Sequence, residues 1–349
     1  MLCARAVGAL LALVLVSGVA LAVVMVEAPL HPDDTPRTLV VDTDAGADDA
    51  VAILEILQAE ARNLRPFRTI AITCVQGNTG VENVTRNVLA TLKIADRLDI
   101  PVYAGAAVAL LPPRPSYSGF FGSDGFGDFL DTFPAEPAPE QYLREGPAAV
   151  ALVRLVKENP GQLTLVCIGP LTNVALAARL DPGFLDNLRD LFILGGAARG
   201  NGNAAPGAEF NVLGDPGAAA VVLEAVTKPV YLLPWETVMD AELPMEWRVK
   251  ELGEVRSIAM KFLNLAESVA LSKMSTWTSG DGLLAAHLID GAVAPFGRAV
   301  RVAVLVGEGP ARGVTLVDYA NTTGLPANAV LIEKPDTSLF KRLLLDLLG

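Results

Sequence analysis

From residue 38 onward the chain repeats one pattern: a short apolar run, a polar loop, then a helical stretch. This alternation constrains the fold more than any other feature. Strands alternating with helices bury both faces of a sheet when the sheet is mostly parallel and helices cover each side. The apolar runs at 39–42, 69–75, 101–104, 163–168, 191–194 and 230–233 predict strands, and 300–306 and 314–317 predict two late ones. Helices are predicted at 50–57, 83–95, 148–157, 174–179, 218–224, 260–272 and 283–288, with a loop-rich stretch at 112–139. The composition does not change class after residue 37, so one α/β domain is expected over 38–349.

In such sheets ligands bind beyond the carboxyl ends of the strands. The polar motifs of this chain follow strands: 42–49, Gly77-Asn78, 169–173 and Gly195-Gly196. The densest is the run Leu39-Val-Val-Asp42-Thr-Asp44-Ala-Gly46-Ala-Asp48-Asp49-Ala50. Strand alternation points Asp42 and Asp44 the same way. Gly46 is expected to let the chain turn sharply. Asp48 and Asp49 then fall in or just before the first turn of a helix, where the dipole and free N–H groups favour negative charge. An acidic pair there is by itself a cap. Capping does not account for Asp42 and Asp44. Carboxylates packed this closely repel unless something positive sits among them, and an all-oxygen cage suits Ca²⁺ or Mg²⁺.

A formal net charge of −12 argues against nucleic acid or an anionic membrane as partner. The N-terminus reads differently. Arg5 precedes an apolar run over 6–26, which predicts a signal peptide or signal anchor within 1–28, with cleavage after Ala22 favoured. Residues 29–37 read as a linker, and the body is expected to enter the secretory pathway, secreted or membrane-anchored. Cys74 and Cys167 sit in apolar runs and read as buried thiols, with a disulfide between them the alternative. Asn83-Val-Thr and Asn321-Thr-Thr are glycosylation sequons that matter only where exposed.

Two further segments carry candidate groups. Asn203, Glu209 and Asn211 lie in a Gly/Pro-rich loop, where amides and a carboxylate can bind a polyhydroxylated ligand such as a sugar. Read alone, that segment is a solvated loop. In Trp277-Thr-Ser-Gly280-Asp281-Gly-Leu-Leu-Ala-Ala-His287, Asp281 read alone is an N-cap, and His287 is a packed or surface residue.

Together these motifs resemble the inosine–uridine-preferring nucleoside hydrolases. Asp42-Thr-Asp44-Ala-Gly46-Ala-Asp48-Asp49 is similar to their N-terminal signature. Val75-Gln-Gly77-Asn78-Thr, Ile168-Gly-Pro-Leu-Thr-Asn173, Leu194-Gly-Gly, Ala208-Glu209-Phe-Asn211 with Asp215-Pro216, and Asp281-Gly-Leu-Leu-Ala-Ala follow in the family's order. So does 311–318, and the likeness spans roughly 38–320. The resemblance implies a Rossmann-like open sheet, a bound Ca²⁺, and hydrolysis of ribonucleosides to base and ribose. It implies that Asp44, Asp49, Asp281 and the carbonyl of Ile168 hold the calcium. Asp44 would also take a proton from the water the calcium carries. Asp48, Asn78, Asn211 and Asp281 would grip the ribose 2′- and 3′-hydroxyls. Asn203 and Glu209 would reach the 5′-hydroxyl, Asp42 would support the site, and the family suggests a homo-oligomer.

The chain departs from the family where many members carry histidines. Gly280 precedes the C-terminal Asp, and Phe121 takes the place of a loop histidine. Imidazole acid catalysis is therefore not expected, and the base would leave through stacking on Trp277 or Trp235 or through water. Two rivals follow. A non-catalytic ribose- or nucleoside-binding or calcium-dependent interaction protein needs no acid. A haloacid-dehalogenase-like phosphatase would use Asp42-Thr-Asp44 after an apolar strand, but leaves Asp48-Asp49 and the Glu209–Asn211 loop unexplained.

Overall fold

The protein is described here from a computed structural model covering residues 37–112, 119–132 and 139–349, with two short paired strands at Leu13–Val16 and Val19–Ala22. Apart from those strands and Arg37, the leader and linker readings fall outside the described residues.

Nine strands form one sheet: β1 (Arg37–Thr43), β2 (Phe67–Cys74), β3 (Val102–Ala104), β4 (Leu163–Cys167), β5 (Asp190–Leu194), β6 (Val230–Leu233), β7 (Phe296–Val304), β8 (Thr315–Asp318) and β9 (Ala329–Glu333). Their spatial order is β8-β7-β9-β6-β5-β4-β1-β2-β3. All neighbours from β9 to β3 run parallel, and β7 runs antiparallel to both β8 and β9. The expected mostly parallel sheet is thus present, closed at one edge by an antiparallel hairpin.

Strand β1 shows why both faces need cover. Leu39 and Val41 belong to one buried core, and Val40 between them belongs to the other. Helices α1 (Ala47–Ala61) and α2 (Val81–Ile94) pack on the first face. Helices α3 (Ala148–Glu158) and α4 (Thr172–Leu180) pack on the second. After α4 come α5 (Phe210–Gly214), α6 (Pro216–Ala225), α7 (Trp235–Asp240), α8 (Ile258–Ala266), α9 (Gly280–Ile289) and α10 (Thr337–Leu348). Helix α9 packs along α1 on the first face.

The chain moves from β1 outward to β2 and β3, then returns to place β4 on the other side of β1. The order reverses between β1 and β4, and the crevice beyond their carboxyl ends is where such sheets bind ligands. The acidic run follows β1 and Ile168 follows β4, so both open onto that crevice.

Several local expectations change. Helix α1 starts at Ala47, so Asp48 and Asp49 lie inside its first turn. Gly46 has an ordinary extended backbone (φ −78°), and Ala45 is the residue just inside positive φ, at 21°. Glycine is needed at 46 for space: a Cβ would lie 2.6 Å from Asn78 Nδ2. The helix expected at 260–272 breaks at Glu267 into Ile258–Ala266 and Ser268–Leu271. Strand β9 and helices α7 and α10 were not expected from the sequence. Strand β9 is a short apolar run that pairs with β6, a strand about a hundred residues earlier, and such pairing has no local signal. Cys74 and Cys167 are buried free thiols on the two strands flanking β1.

Candidate active site

The acidic run becomes a cluster because β1 stops at Thr43 and α1 starts at Ala47. Asp49 is held firmly. Thr43 Oγ1 donates to its Oδ1, while the Gly46 N–H (2.8 Å) and Asn78 Nδ2 (3.3 Å) donate to its Oδ2. Asp44 is held on one side only, where its Oδ2 accepts from the Asn78 N–H at 2.7 Å. Gly77 and Gly169 border Asp44 closely, and a side chain at Gly77 would overlap its carboxylate. Asp281 enters from the first turn of α9, behind its N-cap Ser279.

Asp44 Oδ1, Asp48 Oδ1 and Asp281 Oδ1 are buried and have no hydrogen-bond partner. A buried unpaired carboxylate oxygen is costly, and a cation among these oxygens would offset that cost. Oxygens of Asp48, Asp49 and Asp281 lie within 4.8 Å of one another, close enough to share an ion. An all-oxygen donor set selects a hard cation of the Ca²⁺ or Mg²⁺ kind. The residues present fit such an ion. The tightest trio contains Asp48, where the family resemblance puts Asp44.

The electrostatics agree. Burial pushes the Asp44 carboxyl well above the usual range, and the charges of Asp49 and Asp48 push it further. Burial and the Asp49 charge raise Asp48, while burial and the charges of Asp48, Asp49 and Asp44 raise Asp281. Asp49 is also raised by burial, but its Thr43 and Gly46 hydrogen bonds hold it to about 6. A divalent ion at the cluster would reverse these shifts.

Behind the cluster sits Asp42, wholly buried. Its Oδ1 accepts from Thr73 Oγ1 (2.5 Å) and Asn173 Nδ2 (2.8 Å), and burial still raises it to about 7. Asn173 Nδ2 also donates to the Cys74 carbonyl, and Asn173 Oδ1 accepts from the Ala106 N–H. One amide therefore ties β1, β2 and the loop after β3 to the start of α4.

On the other side of the crevice, Asn211 Nδ2 donates to the carbonyls of Ile168 (3.1 Å) and Leu194 (3.3 Å). The Ile168 carbonyl, a candidate calcium ligand, thus already accepts from a sugar-binding candidate. Glu209 is the N-cap of α5. Its oxygens accept from the N–H groups of Asn211, Val212 and Gly196, and burial raises it to about 7. Asn203 is exposed, and its Oδ1 accepts from the Phe210 N–H at 2.8 Å. Both therefore also act as loop supports, which the sequence reading did not foresee.

Trp277 is corrected. It is 1% exposed, its Nε1 donates to Glu267 Oε1 at 2.8 Å, and its ring stacks on Phe340 with centroids 6.5 Å apart. No face is left for a nucleobase. Trp235 is half-buried just beyond β6, on the crevice side. Phe121 is half-buried beside Gly46, in T-shaped contact with Phe120 at 4.8 Å. His287 is fully buried against Phe192 and takes no part in the cluster. The sequence reading missed Glu236, a buried acid in the third position after β6; a carboxylate just past a strand's carboxyl end was its signal. A cavity of about 210 Å³ bordered by Leu188, Lys228 and Tyr231 lies at the amino ends of β5 and β6, away from this chemistry.

Most of the chain is similar to known proteins. The family model described as inosine-uridine preferring nucleoside hydrolase matches residues 39–342. An uncharacterized protein of Schizosaccharomyces pombe is 30% identical over 89% of this chain and 98% of its own length. Uridine nucleosidase 1 of Arabidopsis thaliana is 38% identical, but over 53% of this chain and 52% of its own. Among solved structures, an inosine-guanosine nucleoside hydrolase superposes with a TM-score of 0.82 at 29% identity, covering 90% of this chain and 99% of that one.

Proposed function

The chain is a nucleoside hydrolase of the inosine-uridine preferring family, and on that premise we propose that it cleaves ribonucleosides to base and ribose with calcium at the acidic cluster. One observation supports the calcium reading: buried oxygens of Asp44, Asp48 and Asp281 lack partners, and oxygens of Asp48, Asp49 and Asp281 lie within 4.8 Å of one another. The family leaves no room for the phosphatase reading.

Asp44, Asp48, Asp49 and Asp281 would hold the ion, with the Ile168 carbonyl facing it. A divalent ion bound there supplies an anchor for the ribose hydroxyls and lowers the pKa of water. The other parts belong to the chain. Asp48, Asn78 and Asn211 offer acceptors and donors to the 2′- and 3′-hydroxyls. A substrate lacking one hydroxyl would leave the buried Asp48 Oδ1 without a partner, so deoxyribonucleosides are rejected. The unpartnered Oδ1 of Asp44 accepts the proton of the attacking water, whose oxygen bonds to C1′ as the C1′–N bond breaks. The base leaves with the bonding electron pair and takes up a proton from solvent. Positive charge builds on the sugar ring at this moment, as in glycoside cleavage, and the surrounding carboxylates stabilise it more than they stabilise the neutral substrate. Phe121, beside Gly46, and Trp235, just past β6, would stack on the base.

The chain is further proposed to be exported through its apolar leader, either released or held by it. Among the described residues no helix is long and apolar enough to cross a membrane. Asn321 is exposed in a turn, whereas Asn83 is half-buried in α2 with its amide bonded to Thr79 Oγ1. Export through a eukaryotic secretory pathway should therefore place a glycan on Asn321, which a glycosidase-sensitive mass shift lost in Asn321→Gln would record.

The deciding measurement is reducing-sugar release from inosine, adenosine, uridine and cytidine, with and without chelator, in wild type and Asp44→Ala. Calcium-dependent release that disappears in the variant supports the reading. Ribose binding without release from any nucleoside would favour the non-catalytic binder.

A further inference from the structure

The segment from Gly195 to Glu209 leaves β5, carries Asn203 and ends at the start of α5. Two buried carboxylates from different elements hold it. Glu209 accepts from the Gly196 N–H at 2.9 Å. Glu236, in the first turn of α7 and 1% exposed, does more. Its Oε2 accepts from the Ala198 N–H at 2.7 Å, and its Oε1 from the N–H groups of Arg199 (2.6 Å) and Asn201 (3.1 Å). Three N–H groups from a four-residue stretch of loop backbone thus converge on one side chain.

Other contacts lock the same stretch. Tyr319 Oη donates to the Ala198 carbonyl (3.0 Å), the Trp235 N–H donates to the Gly196 carbonyl (2.9 Å), and Arg199 Nη2 donates to Asp240 (3.0 Å). Gly202 passes so close to the backbone of Ala205 and Ala208 that a Cβ would overlap both. Two residues beyond the Glu236 contacts lies Asn203, its Oδ1 already accepting from the Phe210 N–H, so its Nδ2 is the group left to face a ligand. A buried carboxylate with several amide donors is a strong, charge-assisted clamp. Such a clamp serves a binding group by holding it in place before the ligand arrives.

We propose that Glu236 is a positioning residue: by clamping the backbone from Ala198 to Asn201 it sets Asn203 and Glu209 for the ribose 5′-hydroxyl, and so sets the preference for substrates that carry it. The identity of the ligand rests on the ribonucleoside reading above. Glu236 itself touches no substrate.

The test compares uridine with 5′-deoxyuridine in hydrolysis. In parallel, calorimetry in the presence of calcium compares a ribose-shaped iminosugar with its 5-deoxy form. Both are run on wild type, Glu236→Gln, Glu236→Asp and Tyr319→Phe. Glu236→Gln replaces one acceptor oxygen by an NH₂ that meets a backbone N–H. It should narrow the preference for the 5-hydroxyl form roughly tenfold, chiefly through KM, while hydrolysis of 5′-deoxyuridine changes about twofold or less. Glu236→Asp should recover part of the preference, and Tyr319→Phe should lose a smaller part. A merely structural role would lower both substrates alike. That result, or an unmoved ratio in a folded Glu236→Gln protein, overturns the inference and leaves the hydrolase reading standing. Preferential iminosugar binding that Glu236→Gln weakens, with no hydrolysis by wild type, keeps the inference and removes the hydrolase. Binding of neither iminosugar by wild type overturns both.

Discussion

Two sets of buried acids line the same crevice and behave in opposite ways. Asp44, Asp48 and Asp281 each keep a buried oxygen without a partner. Glu209 and Glu236 spend their oxygens on backbone N–H groups, three apiece. Both sets carry charge away from water, which costs several kcal/mol per ion without compensation. The glutamates are compensated by the fold, and so they shape it. The aspartates keep oxygens that nothing in the described residues compensates, which is the arrangement a bound cation would complete. Arg248 and Glu267 form a third case, a buried ion pair that also engages Trp277 and Asn264 and whose carboxylate lies near enough to act on Asp48.

The largest effect should come from breaking the uncompensated set. Asp49→Ala removes the carboxylate that Thr43, Gly46 and Asn78 orient, and should lower ribose release by roughly a thousandfold or more. The check is steady-state hydrolysis at saturating calcium. A variant retaining activity within tenfold would put the ion elsewhere.

Removing the ion tests the same contrast reversibly. Calcium at a hundredfold excess over its Kd should stabilise the fold by about 2.7 kcal/mol, read as a rise in Tm that a chelator abolishes. The pH dependence has a definite sign. Asp44, Asp48 and Asp281 are raised by burial and mutual repulsion. The ion-free fold therefore binds more protons than the unfolded chain above the ordinary carboxylate range, and its stability falls as pH rises. Calcium favours the charged forms, so the stabilisation it brings should grow from pH 5 to pH 8. A calcium shift independent of pH would contradict this.

Asn173→Ala sharpens the comparison from behind the cluster. It would leave Asp42 with only the Thr73 hydroxyl and free the Cys74 carbonyl and Ala106 N–H. A loss of about 1–3 kcal/mol in denaturant unfolding is expected.

The smallest effect has the opposite direction. Glu55 is fully buried on α1, with neither carboxylate oxygen bonded, and burial holds its pKa well above normal. It stays protonated in the fold while the unfolded chain ionises, which destabilises the fold as pH rises. Glu55→Gln should add about 1 kcal/mol at pH 8, with the gain shrinking toward pH 4. Unfolding curves at the two pH values measure it.

The architecture was legible in the sequence because it depends on local periodicity. Alternating apolar runs and helices marked six of the parallel strands, and the position of polar motifs after strands marked the working end of the sheet. The acidic run was legible for a similar reason, since its carboxylates are neighbours in the chain. Other features were not. Trp277 pairs with Leu243 in a small two-stranded sheet that forms only in three dimensions, and its burial follows from Phe340 far along the chain and from Glu267. Glu236 went unmarked because the N–H groups it holds, those of Ala198, Arg199 and Asn201, come from the loop after a different strand.

The order of residues therefore determined the α/β class, the end of the sheet that does the work, and the acids gathered there. Those depend on period, charge density and spacing, which are properties of neighbours. Tertiary packing alone decided which carboxylate oxygens find an amide and which are left bare, because each partner arrives from a distant strand or helix. That division, and not the count of acids, separates the carboxylates proposed to hold the ion from those that hold the loop around it.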